Sequence, residues 1–263
     1  MAYIQMDMVS QTLGRNIHLN VFLPSDKFDE SNRLVNTLDT RFKTLYLLHG
    51  LWGCSIDWVN GTRVQRYAEE NNLAVVMPSG DNSFYVDHYE SGSNYGKYIG
   101  EELVELTRRM FPLSRKREDT FIGGLSMGGY GAIRNGLKYS DTFGAIVGLS
   151  SALITEDIHR TDDNPYFFYR KCYFEYCFGP SEKVADSDCN PKKLILDNIK
   201  AGKQMPRIYL ACGVDDFLLN ENNDFADFLK ENNVEYTYET GPGAHEWDFW
   251  DTYIKKAISW LLL

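Results

Sequence analysis

Two runs near the start of the chain, Tyr3 to Val9 and Asn16 to Phe22, alternate polar and apolar residues, with Leu13-Gly-Arg15 between them as a turn. A period of two is the mark of half-buried antiparallel strands, so these runs predict an opening hairpin. A polar stretch from Pro24 to Arg41 follows, and then Thr44-Leu-Tyr-Leu-Leu48, a short continuous apolar run of the kind found in strands covered on both faces. Further strand-like runs occur at Leu73 to Met77, Thr120 to Gly123, Phe143 to Gly148, Arg207 to Ala211 and Val234 to Glu239. Helical stretches separate most of them: Arg63 to Glu70, Tyr98 to Met110, Gly128 to Leu137, Asn222 to Asn232 and Phe249 to Leu262. Strand and helix in alternation imply parallel strands joined by crossovers, hence an α/β protein with helices on both faces of a mostly parallel sheet. One segment breaks the rhythm. From Ala152 to Gln204 no clear strand is visible, and Pro165 to Phe178 holds eight aromatic residues, which predicts a small cap insertion at about 152–204 over the C-terminal edge of the sheet. With no internal repeat and no linker, residues 1–263 are expected to form one domain, a length at which a single core stops growing.

Charge narrows the partners. A formal net charge of −10 argues against nucleic-acid binding, which needs a basic footprint. The chain contains no run of about 18 uncharged apolar residues that would span a membrane. Its first ten residues have no basic region and carry Asp7, so they do not read as a secretory signal, and a cytoplasmic location is expected. Cys54, Cys172, Cys177, Cys189 and Cys212 make an odd set without a CxxC pair, which reads as free thiols and neither a disulfide framework nor a zinc site. The sequon at Asn60-Gly-Thr62 has no use without a secretory pathway.

The sharpest chemical signal is Gly124-Leu-Ser126-Met-Gly128, directly after the strand Thr120 to Gly123 and directly before a helix. This is G-x-S-x-G in the strand–turn–helix context of a nucleophile elbow. A strand that turns sharply into a helix strains its central residue, and small residues two before and two after remove side chains that would clash. Ser126 then presents its hydroxyl at a helix N-terminus, where backbone N–H groups favour developing negative charge. The bland alternative is a glycine-rich turn that merely links strand to helix.

A serine hydroxyl needs a base whose orientation a third group fixes. After the strand Arg207 to Ala211 comes Cys212-Gly-Val-Asp-Asp216-Phe-Leu, with two acids side by side, and after Val234 to Glu239 comes Gly241-Pro-Gly-Ala-His245-Glu-Trp. The order Ser126, acid, His245 is the one that such an elbow requires. Spacing alone does not choose between Asp215 and Asp216, since either could serve as a turn or cap residue. His18 in the hairpin, His88 in a polar loop and His159 in the insertion read as surface or packing residues. Leu48-His49-Gly-Leu-Trp-Gly53 follows the first buried strand, where a backbone N–H donor to an oxyanion is expected. The expected donors are the N–H groups of Leu51 and Met127, with His49 supporting the loop.

The run Tyr46-Leu-Leu-His-Gly50, the elbow Gly123 to Gly131, Cys212-Gly-Val-Asp-Asp-Phe-Leu218 and Gly243-Ala-His-Glu-Trp247 resemble the esterase D group of α/β hydrolases, and most of all bacterial tributyrin esterases. The resemblance extends from about Tyr3 to Trp260 and is weakest in Pro24 to Arg41 and in the insertion. It implies an α/β-hydrolase fold, a small-molecule ester of a short acyl group as substrate, and a Ser126–Asp216–His245 triad without metal or cofactor. The motif's acid stands just before Phe-Leu, which falls on Asp216. Thioesterases of the group that act on S-formylglutathione carry Thr-Cys after the Gly-Leu of the oxyanion loop; here Trp52-Gly53-Cys54 replaces it, which weakens that alternative. Acetylxylan or feruloyl esters from plant cell walls are a further alternative. Under any of these readings Trp52, Tyr166, Phe168, Tyr173 and Trp247 are the candidate substrate contacts. The insertion's aromatics could equally be the core of a small helical cap. A non-catalytic binding protein on the same fold is the rival of another class, and association with further copies of the chain is left open.

Overall fold

The computed structural model describes residues 1–88, 91–157 and 159–263. Its strands are β1 (Ala2–Ser10), β2 (Arg15–Leu23), β3 (Thr44–Leu48), β4 (Ala74–Pro78), β5 (Asp87–His88), β6 (Ser93–Asn94), β7 (Thr120–Leu125), β8 (Ala145–Leu149), β9 (Arg207–Gly213) and β10 (Tyr236–Gly241). Its α-helices are α1 (Asp57–Gly61), α2 (Val64–Glu70), α3 (Tyr95–Lys97), α4 (Leu103–Met110), α5 (Met127–Lys138), α6 (Lys171–Phe178), α7 (Ser181–Val184), α8 (Pro191–Lys200), α9 (Leu219–Glu231) and α10 (Trp247–Leu261).

Among the described residues one sheet has eight strands in the order β1-β2-β4-β3-β7-β8-β9-β10, and β5 and β6 form a separate ribbon. The opening hairpin pairs antiparallel, β2 pairs antiparallel with β4, and every later neighbour is parallel. The chain leaves β3 toward β4 on one side and returns to β7 on the other. That reversal opens a crevice at the C-terminal ends of β3 and β7, the usual place for a ligand in an open α/β sheet.

Each central strand is covered twice. On one face Tyr46, Leu48, Ile122, Ile146 and Leu210 pack with Tyr130, Ile133 and Leu137 of α5. On the other, Leu45, Leu47, Phe121, Val147 and Tyr209 pack with Val64 and Tyr67 of α2 and with Ile254 and Ile258 of α10. Continuous apolar runs in the strands are the result of that double burial.

Several elements depart from the sequence reading at their ends: β8 begins at Ala145 where Phe143 is expected, and α9 at Leu219 where Asn222 is expected, while α1 is not foreseen. The helix expected over Tyr98 to Met110 opens as a wide π turn at Tyr98–Glu102 between α3 and α4. The turn contains Gly100, which allows a close approach: a Cβ there would stand 2.1 Å from the Tyr139 ring. The last strand begins at Tyr236 and not at Val234. Val234 is buried because it closes the end of α9, its N–H donating to Leu229 O at 2.9 Å.

Segment 152–204 contains α6, α7 and α8, and no strand among its described residues. Pro191 opens α8 after Asn190, whose side chain accepts from Lys192 N–H at 3.0 Å as an N-cap. The segment is tied to α5 by side chains. Tyr130 Oη donates to Cys189 O at 2.6 Å, Arg134 Nη2 to Asp188 Oδ2 at 2.7 Å, and Asn198 Nδ2 to Leu137 O at 2.9 Å. Among the described residues no helix is long and apolar enough to cross a membrane. All five cysteines are unpaired.

Candidate active site

Between β7 and α5 the chain turns on one residue. Ser126 has φ 54° and ψ −120°, a conformation that costs a non-glycine residue energy and persists only when its surroundings enforce it. The surroundings are close. A Cβ at Gly124 would lie 2.3 Å from Gly128 O, and one at Gly128 would lie 2.5 Å from the carbonyl oxygens of Leu48 and His49. Ser126 N–H donates to Leu149 O at 2.9 Å, and its carbonyl accepts from Tyr130 and Ala152 N–H, each at 3.0 Å.

The loops after β9 and β10 are laced backbone to backbone. Val214 N–H donates to Gly241 O at 2.9 Å and Asp215 N–H to Gly243 O at 3.1 Å, while a Cβ at Gly213 would stand 2.2 Å from Gly243 O. This lacing brings Asp216 and His245 together. His245 Nδ1 is 3.0 Å from Asp216 Oδ2 and 3.1 Å from Oδ1, and its Nε2 is 3.0 Å from Ser126 Oγ. Asp216 is buried and also accepts from Leu218 N–H at 2.9 Å. Burial alone would raise the pKa of its carboxyl, but hydrogen bonds from His245, Leu218 N–H and the Ser150 hydroxyl outweigh it, so the group is held below the usual carboxylate value. An ionised Asp216 only accepts, which makes Nδ1 the protonated nitrogen of a neutral imidazole and leaves the Nε2 lone pair facing Ser126. Phe217 at 4.6 Å and the edge of Trp250 at 5.0 Å flank the ring. Asp215 is exposed, and the geometry pairs His245 with its neighbour Asp216.

The loop after β3 faces Ser126 across the crevice. A Cβ at Gly50 would stand 3.5 Å from Ser126 Cβ and 2.7 Å from the Leu125 side chain. His49 is buried in the base of this loop, its Nε2 accepting from Gly80 N–H at 2.8 Å and its Nδ1 donating to Gly50 O at 2.7 Å. Burial lowers its pKa, so it stays neutral, and both nitrogens are engaged in holding the loop. Trp52, at φ 65°, donates its N–H to Asn82 Oδ1 at 2.8 Å. Neither the Leu51 nor the Met127 amide has a hydrogen-bond partner among the described residues.

A cavity of about 470 Å³ lies over Ser126 and His245. Trp52, Phe168, Tyr173 and Trp247 all line it, Trp52 from an exposed rim where it meets the Phe168 ring edge-on at 5.5 Å. Tyr166 does not. It is 70% exposed and packs on Tyr169, because the 3₁₀ turn Phe167–Tyr169 directs its neighbours Phe168 and Tyr169 to the cavity and leaves Tyr166 outside. The aromatics of segment 152–204 divide: Phe174 packs on Phe178, which packs on Phe84 and Tyr130 in the core, while Phe168, Tyr169 and Tyr173 form wall. Asp57, Asn82, Arg160 and Phe217 also belong to the site or its frame and were not singled out from sequence. Phe217 adjoins the acid and could have been found on that ground; the others carry no local signal. His18 and His159 are exposed, and His88 stacks on Tyr176 at 4.9 Å away from the site. No group of three or more metal-ligating side chains occurs among the described residues.

A mostly parallel sheet, an elbow serine at the switch point and an acid and a histidine on the last two strand-to-helix loops define the α/β-hydrolase class. The chain belongs to the family described as "Putative esterase", whose model matches residues 10–261, and it is a serine-type carboxylic ester hydrolase. It is 43% identical to an acetyl esterase of Caldicellulosiruptor saccharolyticus over 265 residues, covering 99% of this chain and 98% of that one. Among solved structures it is similar to a fluorophosphonate-binding serine hydrolase of Staphylococcus aureus, with TM-score 0.86 and 36% identity over 100% of this chain and 98% of the other. A Staphylococcus aureus S-formylglutathione hydrolase aligns with TM-score 0.85 and 37% identity over 100% and 99% of the two chains.

Proposed function

We propose that the protein hydrolyses short-chain acyl esters through an acyl-enzyme. Ser126 Oγ attacks the ester carbonyl while His245 Nε2 takes its proton, and Asp216 holds the imidazole in the Nδ1–H tautomer and stabilises the imidazolium. The amides of Leu51 and Met127 receive the charge that develops on the carbonyl oxygen. Collapse expels the alcohol, protonated by His245, and water repeats the sequence on the acyl group. Segment 152–204 acts as a cap that supplies one wall of the substrate cavity.

One observation carries this reading: the 3.0 Å approach of His245 Nε2 to a strained serine while the other ring nitrogen is held by a buried carboxylate. The similarity to an acetyl esterase supports a short acyl group. The resemblance to tributyrin esterases points the same way. A thioester is the second reading, favoured by the 37% identity to the staphylococcal S-formylglutathione hydrolase. Five unpaired thiols support a reducing, cytoplasmic setting.

Ser126→Ala tests the mechanism against the non-catalytic alternative. Turnover of 4-nitrophenyl acetate should fall by about 10⁶-fold, as in other enzymes of this constellation, with an unchanged melting curve. A fluorophosphonate should label the wild type at Ser126 alone. Turnover that survives the substitution would end the proposal. Nitrophenyl esters from acetate to decanoate, run beside S-formylglutathione, separate the two readings.

A further inference from the structure

Resting on the esterase reading, we propose that Arg160 is a specificity residue that selects esters bearing a carboxylate. The cavity is walled mainly by Leu51, Phe84, Ile154, Phe168, Tyr173 and Trp247, and an uncharged short ester would need nothing more. Yet Arg160 also lines it, with only 8% of its side chain exposed. Its Nε donates to Asp157 Oδ2 at 2.9 Å and its Nη1 to Phe168 O at 3.2 Å. The guanidinium lies 5.3 Å from the centre of the Phe174 ring and 5.9 Å from that of Tyr169. Those four contacts fix its orientation on the 152–204 side of the cavity.

The fixing is incomplete in a telling way. A guanidinium has five N–H donors, and Nη2 has no partner among the described residues. Nη2 is left free to donate to an acceptor that enters the cavity, and a charge-assisted hydrogen bond to a carboxylate is roughly twice as strong as a neutral one. Asp157 does not cancel the charge, since its carboxylate is 57% exposed and screened by water. A planar guanidinium held by its Nε edge offers a geometry suited to a carboxylate. Asp57, which lines the cavity beside Gly53 of the oxyanion-loop wall, repels an anion there and so directs the negative end of a substrate toward Arg160.

The carboxylate could sit on the acyl or on the alcohol part, and the test separates them. Mono-4-nitrophenyl succinate carries it on the acyl side, with 4-nitrophenyl butyrate as the neutral match. 4-Acetoxybenzoate carries it on the alcohol side, with phenyl acetate as the match. In Arg160→Met, kcat/KM for one of the charged esters should fall about 10- to 100-fold further than for its neutral match. Arg160→Lys, which keeps the charge without the fork, should fall between the two. A purely structural role for Arg160 predicts equal losses on charged and neutral esters, and that result, or an unchanged charged-to-neutral ratio in both variants, overturns the proposal. Failure of the wild type to turn over any of the four would overturn the esterase reading itself.

Discussion

Around Ser126 the chain is held by backbone approaches that leave no room for a Cβ, whereas segment 152–204 is attached to the same helix by side chains. Gly124, Gly128 and Gly213 each sit within 2.5 Å, counted from a hypothetical Cβ, of a carbonyl oxygen of a neighbouring helix, strand or loop. Tyr130 and Arg134 of α5 instead reach with their side chains to Cys189 and Asp188 of segment 152–204, and Asn198 of that segment reaches back to Leu137 of α5. Backbone packing fixes positions to tenths of an ångström and tolerates almost no substitution. Side-chain attachment can be weakened without moving the backbone that it holds. The difference teaches that the positions of Ser126, Asp216 and His245 and the positions of the rings that wall the cavity are specified by separate sets of residues, and that one set can change while the other stays.

The separation can be attacked first at its rigid end. Asp216→Asn should lower kcat by about 10⁴-fold, because an amide can present its N–H to Nδ1 and stabilise the wrong tautomer, whereas Asp215→Asn should leave kcat within about twofold of wild type. Steady-state kinetics decide it, and the reverse ranking would move the acid to Asp215.

At the attached end, Arg134→Met should destabilise the fold by about 3–5 kcal/mol, the usual consequence of removing one partner from a buried ion pair. Arg134 is wholly buried, and its loss leaves the 3%-exposed Asp87 carboxylate with Lys138 as its remaining ion-pair partner. Denaturant melts measure the loss. Fluorophosphonate labelling of Ser126 in the fraction still folded should be unaffected, and a labelling rate that fell with stability would show that the two regions are not separate.

Acid tests both ends together. The Asp216 and Asp188 carboxyls are each held below the ordinary value: burial opposes this, but His245 and backbone donors outweigh it at Asp216, and Arg134 and Lys138 do so at Asp188. The unfolded chain therefore takes up protons first, at pH about 4. Both groups contribute stability above that pH and lose it as pH falls through their lower folded values. The melting temperature should drop from pH 5 toward pH 3, less steeply in Arg134→Met, where the main partner of Asp188 is gone. Equal slopes would remove Asp188 from the account. The smallest effect is expected at Tyr166→Ala, within about 0.5 kcal/mol in stability and unchanged in kcat/KM, since this ring lies outside the cavity.

What could be read in the sequence follows the same division. The elbow announces itself because a strand-to-helix turn of that sharpness demands small residues at fixed offsets from Ser126, and the loops carrying Asp216 and His245 follow recognisable buried strands. The choice between Asp215 and Asp216 needed either the family motif or the lacing of Gly213 against Gly243, since neighbouring carboxylates look alike until one is buried. Arg160 and Asn82 were invisible: nothing local distinguishes a surface arginine from one pressed between Tyr169 and Phe174. The split of the insertion's aromatics into core and wall depended on which side of a short 3₁₀ turn each ring falls.

Asn82 links what is otherwise separate. Its side chain receives the Trp52 N–H at 2.8 Å, and its carbonyl receives the Tyr173 hydroxyl at 2.8 Å. One residue from an unremarked loop thus ties the loop after β3 to the aromatic wall of the cavity. For anyone transplanting this wall into a related scaffold to change its substrate range, residues 152–204 are not a self-contained cassette. The loop around Asn82 has to travel with them, or the graft will arrive with its tyrosine unmoored and Trp52 released from the conformation that shapes the neighbouring amide.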